Sequence, residues 1–249
     1  MSTPIYSVLH ATYMRPEKAI AAMRMWFERA DNPDNIEYIF ALNKDDKTIP
    51  AFQTAIFKPW AYLDSDEKKK RQIFQYGDFP GSAPAWDAAA KASTGLVLIQ
   101  AQDDVEPPVG GWDTMLLEWL EGANVNPNHW RAVPTVVAVR DGYRRDRLLC
   151  TAICNRVRYN QVGHFLFPEY LSVFSDDDFS YSAYRDERDG KCMVVRTDLE
   201  FRHEHAYHNS SVPMDATYAR ENSSIAYGLG ADLFFKRNPE AHKDGLRNW

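Results

Sequence analysis

The sequence predicts an α/β protein with a central, mostly parallel sheet, on three observations. The first is order. Residues 5–12 (IYSVLHAT) read as a strand, a helix follows from Pro16, and residues 36–42 (IEYIFAL) read as a second strand. Strand, helix, strand in succession argues a βαβ unit with parallel strands. The second is a short apolar run, Leu96-Val97-Leu98-Ile99, bounded by Gly95 and an acidic turn. Such runs mark buried strands. The third is that carboxylates collect where these strands stop, Asp45-Asp46 after one and Asp103-Asp104 after the other. In open α/β sheets, ligands bind at the carboxyl ends of the strands.

After the first strand, Tyr13-Met14-Arg15 form a loop. Pro16 suits the first helical position, where its missing N–H is not needed. Ile20, Met23, Phe27 and Ala30 recur at helical spacing and form that helix's buried face. DNPDN is a turn. Residues 47–81 are the least regular, and Lys68, Lys69, Lys70 and Arg71 read there as a solvated helix face. Ser82 is placed to cap a helix with Pro84 in its first turn. Ala88, Ala89 and Ala92 give it a slim face for close approach to a sheet or ligand, and Gly95 is expected to end it. Met115, Leu116, Trp119 and Leu120 mark an amphipathic helix. Residues 132–139 and 148–155 read as strands joined by a hairpin-like turn, RDGYRRDR. Phe174 to Phe179 enters a helix that stops near Gly190, and residues 192–196 form a further strand. The tail from Asp215 carries Tyr218, Tyr227, Leu229, Leu233, Phe234 and Phe235, too apolar for a free linker, and should pack on the body.

The chain has 249 residues, 45% of them hydrophobic, which suits a globular protein. A net charge of −6 provides no global basic field for nucleic acid or anionic lipid. Residues 140–147 and 68–71 remain as local basic patches for phosphate contacts. Cys150, Cys154 and Cys192 are few, odd in number and without zinc spacing, which fits a reducing compartment. The opening MSTPIYSVLHATY lacks the pattern of a secretory leader, and no window approaches about 18 apolar residues. The expectation is a cytoplasmic protein without a membrane span.

Adjacent acids such as Asp103 and Asp104 repel unless a positive group sits beside them. The simplest such group is Mg²⁺ or Mn²⁺, itself holding a diphosphate. Two more clusters fall at element ends: Asp176-Asp177-Asp178, and His203, His205 and His208. Singly, each has an ordinary reading as a turn, a helix start favoured by the dipole, or a solvated edge strand. Together they supply metal carboxylates, a base and imidazole ligands beside strand ends.

SVLHATYMRPEKA, then a strand ending NKDD, then AWDAAAKASTGLVLIQAQDDVEPPVGGWD resembles the nucleotide-binding half of GT-A glycosyltransferases, the inverting family 2-like enzymes above all. The later FSDDDFSYSAY and HEHAYH resemble that family's base segment and its C-terminal histidine. The resemblance implies a Rossmann-like three-layer α/β/α sandwich over residues 1–249. Residues 1–113 would bind the nucleotide sugar and 114–249 would form the acceptor side. It implies a UDP- or GDP-sugar donor, an acceptor hydroxyl and Mn²⁺ or Mg²⁺ held by Asp103, Asp104 and His205. Thr12, Tyr13, Arg15, Asp45, Asp46 and Asp103 would contact the donor, and Asp176 would be the base. Trp112 reads equally as a wall for a sugar ring or as a core tryptophan. The sequence departs from the family in Ala101-Gln102-Asp103-Asp104, where the first acid of the D-x-D motif is missing, and in Asp87 and Ser175, where asparagine and glutamate are usual. Asp87 therefore reads as structural. The competing readings are a nucleotidyltransferase, which would want a glycine-rich phosphate loop where ATYMRPEK has none, and a non-catalytic nucleotide-sugar-binding module, which would not need Asp176.

Overall fold

A computed structural model describes residues 3–57, 72–206, 209, 211–212 and 214–241. The basic run 68–71 and His208 lie outside the described residues. Seven strands form one sheet in the order β3-β2-β1-β4-β7-β6-β8. They are β1 (Tyr6–Thr12), β2 (Ile36–Asn43), β3 (Gln72–Gly77), β4 (Val97–Ala101), β6 (Thr135–Arg140), β7 (Ile153–Asn155) and β8 (Met193–Glu200). β1 pairs in parallel with β2 and β4, β2 with β3, and β6 with β8. β7 runs antiparallel to its neighbours β4 and β6. A separate two-stranded ribbon joins β5 (Val105–Glu106) to β9 (Arg202–His203), with Val105 opposite His203. The expected α/β architecture with a mixed, mostly parallel sheet is what the chain adopts.

Alternation along the strands divides the core into two layers. Tyr6 and Val8 of β1, Tyr38 and Phe40 of β2, and Val97 and Ile99 of β4 face one side. There they meet α1 (Pro16–Glu28) through Met23 and Trp26, α2 (Ile49–Phe57) through Phe52, and α4 (Trp112–Gly122) through Trp112 and Leu116. Leu9, Ile39 and Leu98 face the other side. Their partners are α3 (Ser82–Ala92), through Ala83, Ala89 and Ala90, and α6 (Ser175–Arg188), through Phe179 and Ala183. α5 (Arg156–Val162) adds Tyr159 to this layer and α8 (Ser224–Arg237) adds Phe234, while the short α7 (Ala216–Glu221) precedes α8. The apolar tail thus packs on the body, as its composition requires.

Several local expectations are corrected. Helix α3 ends at Ala92 with Ser93 at its cap position, and Gly95 lies in the turn before β4 instead of capping the helix. A Cβ on Gly95 would lie 2.4 Å from Ser7 Oγ, so glycine is required by close approach to β1. Ser82 is the first residue of α3, follows Gly81 at the cap position, and bonds Glu221. Residues 148–152 are not strand, because β7 is confined to Ile153–Asn155. The irregular region before Gly81 contains α2 and β3, which its weak periodicity did not reveal.

At the amino edge of the sheet, a buried carboxylate ties three segments together. Glu37 accepts from Ser7 Oγ at 2.6 Å, Thr94 Oγ1 at 2.9 Å, Gly95 N at 2.9 Å and Thr94 N. It is 4% exposed, so its charge is stabilised by these donors in place of water. Glu37→Ala should lower the unfolding free energy in urea by about 1–3 kcal/mol for each buried donor left unsatisfied. A loss no greater than that of an exposed substitution would show that the turn is held by other contacts.

Candidate active site

The carboxyl edge of the parallel strands opens into a cavity of about 440 Å³. The ends of β1, β2 and β4, the start of α3, the loop after β6, the start of α6, ribbon β5–β9 and α7 all contribute walls. Thr12, Tyr13, Arg15, Asp103, Asp104, Asp176 and His205, all singled out in the sequence, share this one cavity.

The loop after β1 is held in an unusual shape. Met14 has φ of 59°, a left-handed conformation that non-glycine residues rarely adopt. Its N–H donates to Asp46 Oδ2 at 2.8 Å, while Asp46 Oδ1 accepts from Thr48 N and Oγ1. Buried Asp46 is therefore consumed in shaping the loop and does not line the cavity. Asp45 lies outside it too, with Tyr13 Oη 3.5 Å from its carboxylate. Of the residues expected to contact a nucleoside, Asp45 and Asp46 are thus not among those that line the cavity. Phe174, with φ of 70°, is the other non-glycine residue with positive φ among those described, and it precedes α6 at the cavity wall. Backbone strain of this kind concentrates at functional sites.

The adjacent acids point to different partners. Asp103 takes His10 Nε2 on Oδ1 at 3.0 Å, and Thr12 Oγ1 at 3.2 Å and Arg15 Nη1 at 3.5 Å on Oδ2. Asp104 takes the Tyr218 hydroxyl and lies 3.5 Å from His203 Nε2. At that distance the His203 contact is one of charge, and the buried Nε2 has no hydrogen-bond partner. Burial raises the Asp104 carboxyl, but the pull of His203, and then of His205 and Arg15, leaves it below its usual range. Burial lowers His203, yet Asp104 above all raises it on balance. The ribbon places this pair, since His203 in β9 is opposite Val105, next in sequence to Asp104. His205 lines the same wall, with its ring 5.1 Å from His203 and 4.9 Å from Tyr218. Among the described residues, no three of His, Cys, Asp and Glu are gathered as a preformed metal cluster.

Asp176 is partly exposed on the cavity wall in the first turn of α6, and Asp177 lines the wall beside it. Asp178 points away, bound by Arg237 and by Asn238 Nδ2 at 2.7 Å, and anchors α8. Asp87 is likewise structural, accepting from Phe165 N and pairing with Lys91. Trp112 is fully buried, donates Nε1–H to Trp26 O at 2.8 Å and packs against Tyr6 and Trp26. Of its two readings, the core tryptophan is correct, and the sugar-wall role is withdrawn. The glycines before it serve the same joint: Gly111 has φ of 90°, and a Cβ there would meet Asp31.

Sequence reasoning missed what α7 does. Asp215 caps α7 and pairs with Arg15 and Lys18. The Arg15 guanidinium lies 4.7 Å over the Tyr218 ring, and that of Arg220 5.0 Å over Tyr13. His10 and Tyr38 were also missed. The available signal was a histidine at the same alternating position as Tyr6 and Val8 in an otherwise apolar strand.

No family model and no curated protein matches the sequence. Solved structures of glycosyltransferases are similar to this chain in fold. Against S. aureus TarS the TM-score is 0.56 at 12% identity, over 94% of this chain and 43% of that one. Against S. aureus TarS 1–349 in complex with UDP-GlcNAc it is 0.52 at 13%, over 97% and 76%. Against mannosyltransferase PcManGT from Pyrobaculum calidifontis, in complex with GDP-Man and Mn²⁺, it is 0.53 at 15%, over 98% and 77%. The chain spans less than half the length of the longer TarS chain. At such identity the likeness is one of fold, and the fold is that of glycosyltransferases. Among the described residues, no helix is long and apolar enough to cross a membrane.

The cysteines have a testable chemistry. Burial pushes the Cys154 thiol up to about 12 and Cys192 to about 11. Cys150, on the cavity wall, is pushed well up by burial and then by the charges of Asp176 and Asp141. The reactive form is the thiolate. At pH 8 all three should therefore react slowly with a thiol reagent in the native protein and promptly in denaturant. Rapid native labelling would contradict this account of their burial.

Proposed function

We propose that this chain is a metal-dependent glycosyltransferase, moving a sugar from a nucleoside-diphosphate sugar to an acceptor hydroxyl with inversion. One observation carries the reading: Arg15, Asp104 and Asp176 share the walls of a cavity at the carboxyl edge of parallel strands. The bound molecules named for the fold's neighbours, UDP-GlcNAc and GDP-Man, support it. A departing nucleoside diphosphate gathers negative charge, which a cation beside it stabilises. Arg15, rigidly framed by Asp103, Asp215 and Tyr218, supplies a guanidinium suited to paired phosphate oxygens.

The donor set fits a divalent ion. Asp104 offers an oxygen, and the buried His203 Nε2 offers a nitrogen with no hydrogen-bond partner. An oxygen-plus-imidazole pair suits Mn²⁺, and such ions are commonly completed by water and substrate phosphate. His205 is the third candidate ligand. Asp103 already accepts from His10, Thr12 and Arg15 and orients those groups, so Asp104 would be the carboxylate that holds the ion. When bound, the ion would supply charge to the diphosphate leaving group. Asp176 then removes the acceptor proton, and its place at a helix start favours the charged carboxylate.

A thermal-shift panel of UDP and GDP with and without Mn²⁺ tests the donor reading, because a ligand of the native state raises its stability by mass action. Arg15→Ala should weaken nucleoside diphosphate binding by about 1.5–3 kcal/mol, the range for a hydrogen bond to a charged group. Asp176→Asn should cut turnover by about 10²–10⁴-fold with donor affinity retained. Full activity in that variant would remove Asp176 as base, and retention at the anomeric carbon would remove the inverting mechanism.

Asp215 occupies Arg15 as an anion would, so a diphosphate must compete with it. Asp215→Asn preserves a side-chain oxygen for the α7 cap while deleting the charge. Titration calorimetry should show tighter nucleoside diphosphate binding in this variant. Weaker binding would mean that Asp215 holds Arg15 in the productive position.

A further inference from the structure

His10 is wholly buried in β1, stacked on Phe40 with ring centroids 5.2 Å apart. Its Nδ1 is 2.6 Å from the Tyr38 hydroxyl and its Nε2 is 3.0 Å from Asp103 Oδ1. A carboxylate only accepts, so Nε2 must carry the proton toward Asp103. Tyr38 is wholly buried, and burial, then the charge of Asp103, holds its phenol well above the usual range. The hydroxyl therefore stays protonated and can donate to Nδ1 while Nε2–H donates to Asp103, which links phenol, imidazole and carboxylate in one line.

The fold has no evident need of this chain. The surroundings are aromatic and apolar, with Tyr38, Phe40 and Val8 in the same layer. Burying an imidazole and a phenol there costs free energy that their hydrogen bonds only offset, and well-fitting apolar groups in their place would be neutral or stabilising. What the chain does accomplish lies at its far end. His10 fixes one Asp103 oxygen, and the other accepts from Thr12 and Arg15. The carboxylate is thus clamped between the sheet interior and the cavity wall.

We propose that His10 is a positioning residue for the donor, acting through Asp103 to set the Arg15 guanidinium where the diphosphate binds. This rests on the glycosyltransferase reading. The test measures UDP and GDP affinity, in the presence of Mn²⁺, for wild type, His10→Leu, His10→Gln, Tyr38→Phe and Arg15→Ala, and for the double variant of His10→Leu with Arg15→Ala. His10→Leu, which leaves the buried Tyr38 hydroxyl without its partner, should melt below wild type yet stay folded, and should bind about tenfold more weakly, a loss of the size expected for one charge-assisted hydrogen bond. His10→Gln, whose amide N–H reaches a similar position, should restore most of the affinity. The decisive readout is coupling: in the Arg15→Ala background, His10→Leu should cost nothing further. A general structural role would give additive losses, and these would overturn the inference, as would wild-type affinity in His10→Leu. Should His10→Leu fail to fold, Tyr38→Phe carries the same cycle with a smaller loss, and unchanged affinity there overturns the inference. If the wild-type chain binds neither nucleotide, the donor reading falls and this inference with it. Binding by wild type and His10→Leu alike removes only the role given to His10.

Discussion

β1 is hydrogen-bonded in parallel to β2 on one side and to β4 on the other, with His10 opposite both Phe40 and Ala101. Parallel pairing brings the carboxyl ends of the strands to one edge, and the pleat sends alternate side chains to opposite layers. The Thr12–Arg15 loop and the Asp103-Asp104 turn therefore leave the sheet side by side. The contact between Asp103 and Arg15 is 88 positions long in sequence and yet follows directly from this register. Glu37 secures the opposite end of the same strands, where the turn before β4 must approach β1 closely enough to exclude any Cβ.

Charge is arranged in the cavity by separation. Asp103 and Asp104 leave β4 in one turn and Asp176 opens α6, and each of these cavity acids has a distinct environment: Asp103 among three donors, Asp104 beside an imidazole and a phenol, and Asp176 at a helix start. That division resolves the repulsion expected of adjacent carboxylates without requiring them to share one partner.

The sheet was legible because buried parallel strands leave apolar runs, as in residues 36–42 and 96–99. α2 and β3 were not, since β3 lies at the sheet edge with its residues only half-buried. Within the site, residue type revealed chemistry but not direction. Asp46 and Asp103 both follow strands, yet one turns back onto the Met14 and Thr48 backbone and the other faces His10, Thr12 and Arg15. Trp112 follows the Gly-Gly turn in either reading, and only the tertiary packing of α4 against α1 decides that it points inward. Asp215 and Tyr218 were visible as a cap and an apolar residue, whereas their contacts with Arg15 and Asp104 span 200 and 114 positions and leave no local pattern.

Those spans have a kinetic meaning. Contacts between distant positions require loop closure before they return any stabilisation, so topologies rich in them fold slowly. β1, α1 and β2 assemble from near neighbours in the chain, while the β5–β9 ribbon must await a segment from the far side of the sequence. The register of that ribbon is short, two residues on each strand, and with the Glu204 N–H donating to Asp104 O at 2.8 Å it sets His203 beside Asp104. By sequence separation the β1–α1–β2 unit is the part favoured to form before the imidazole wall. Without the ribbon's pairing, the acidic turn after β4 lacks its imidazole counterpart.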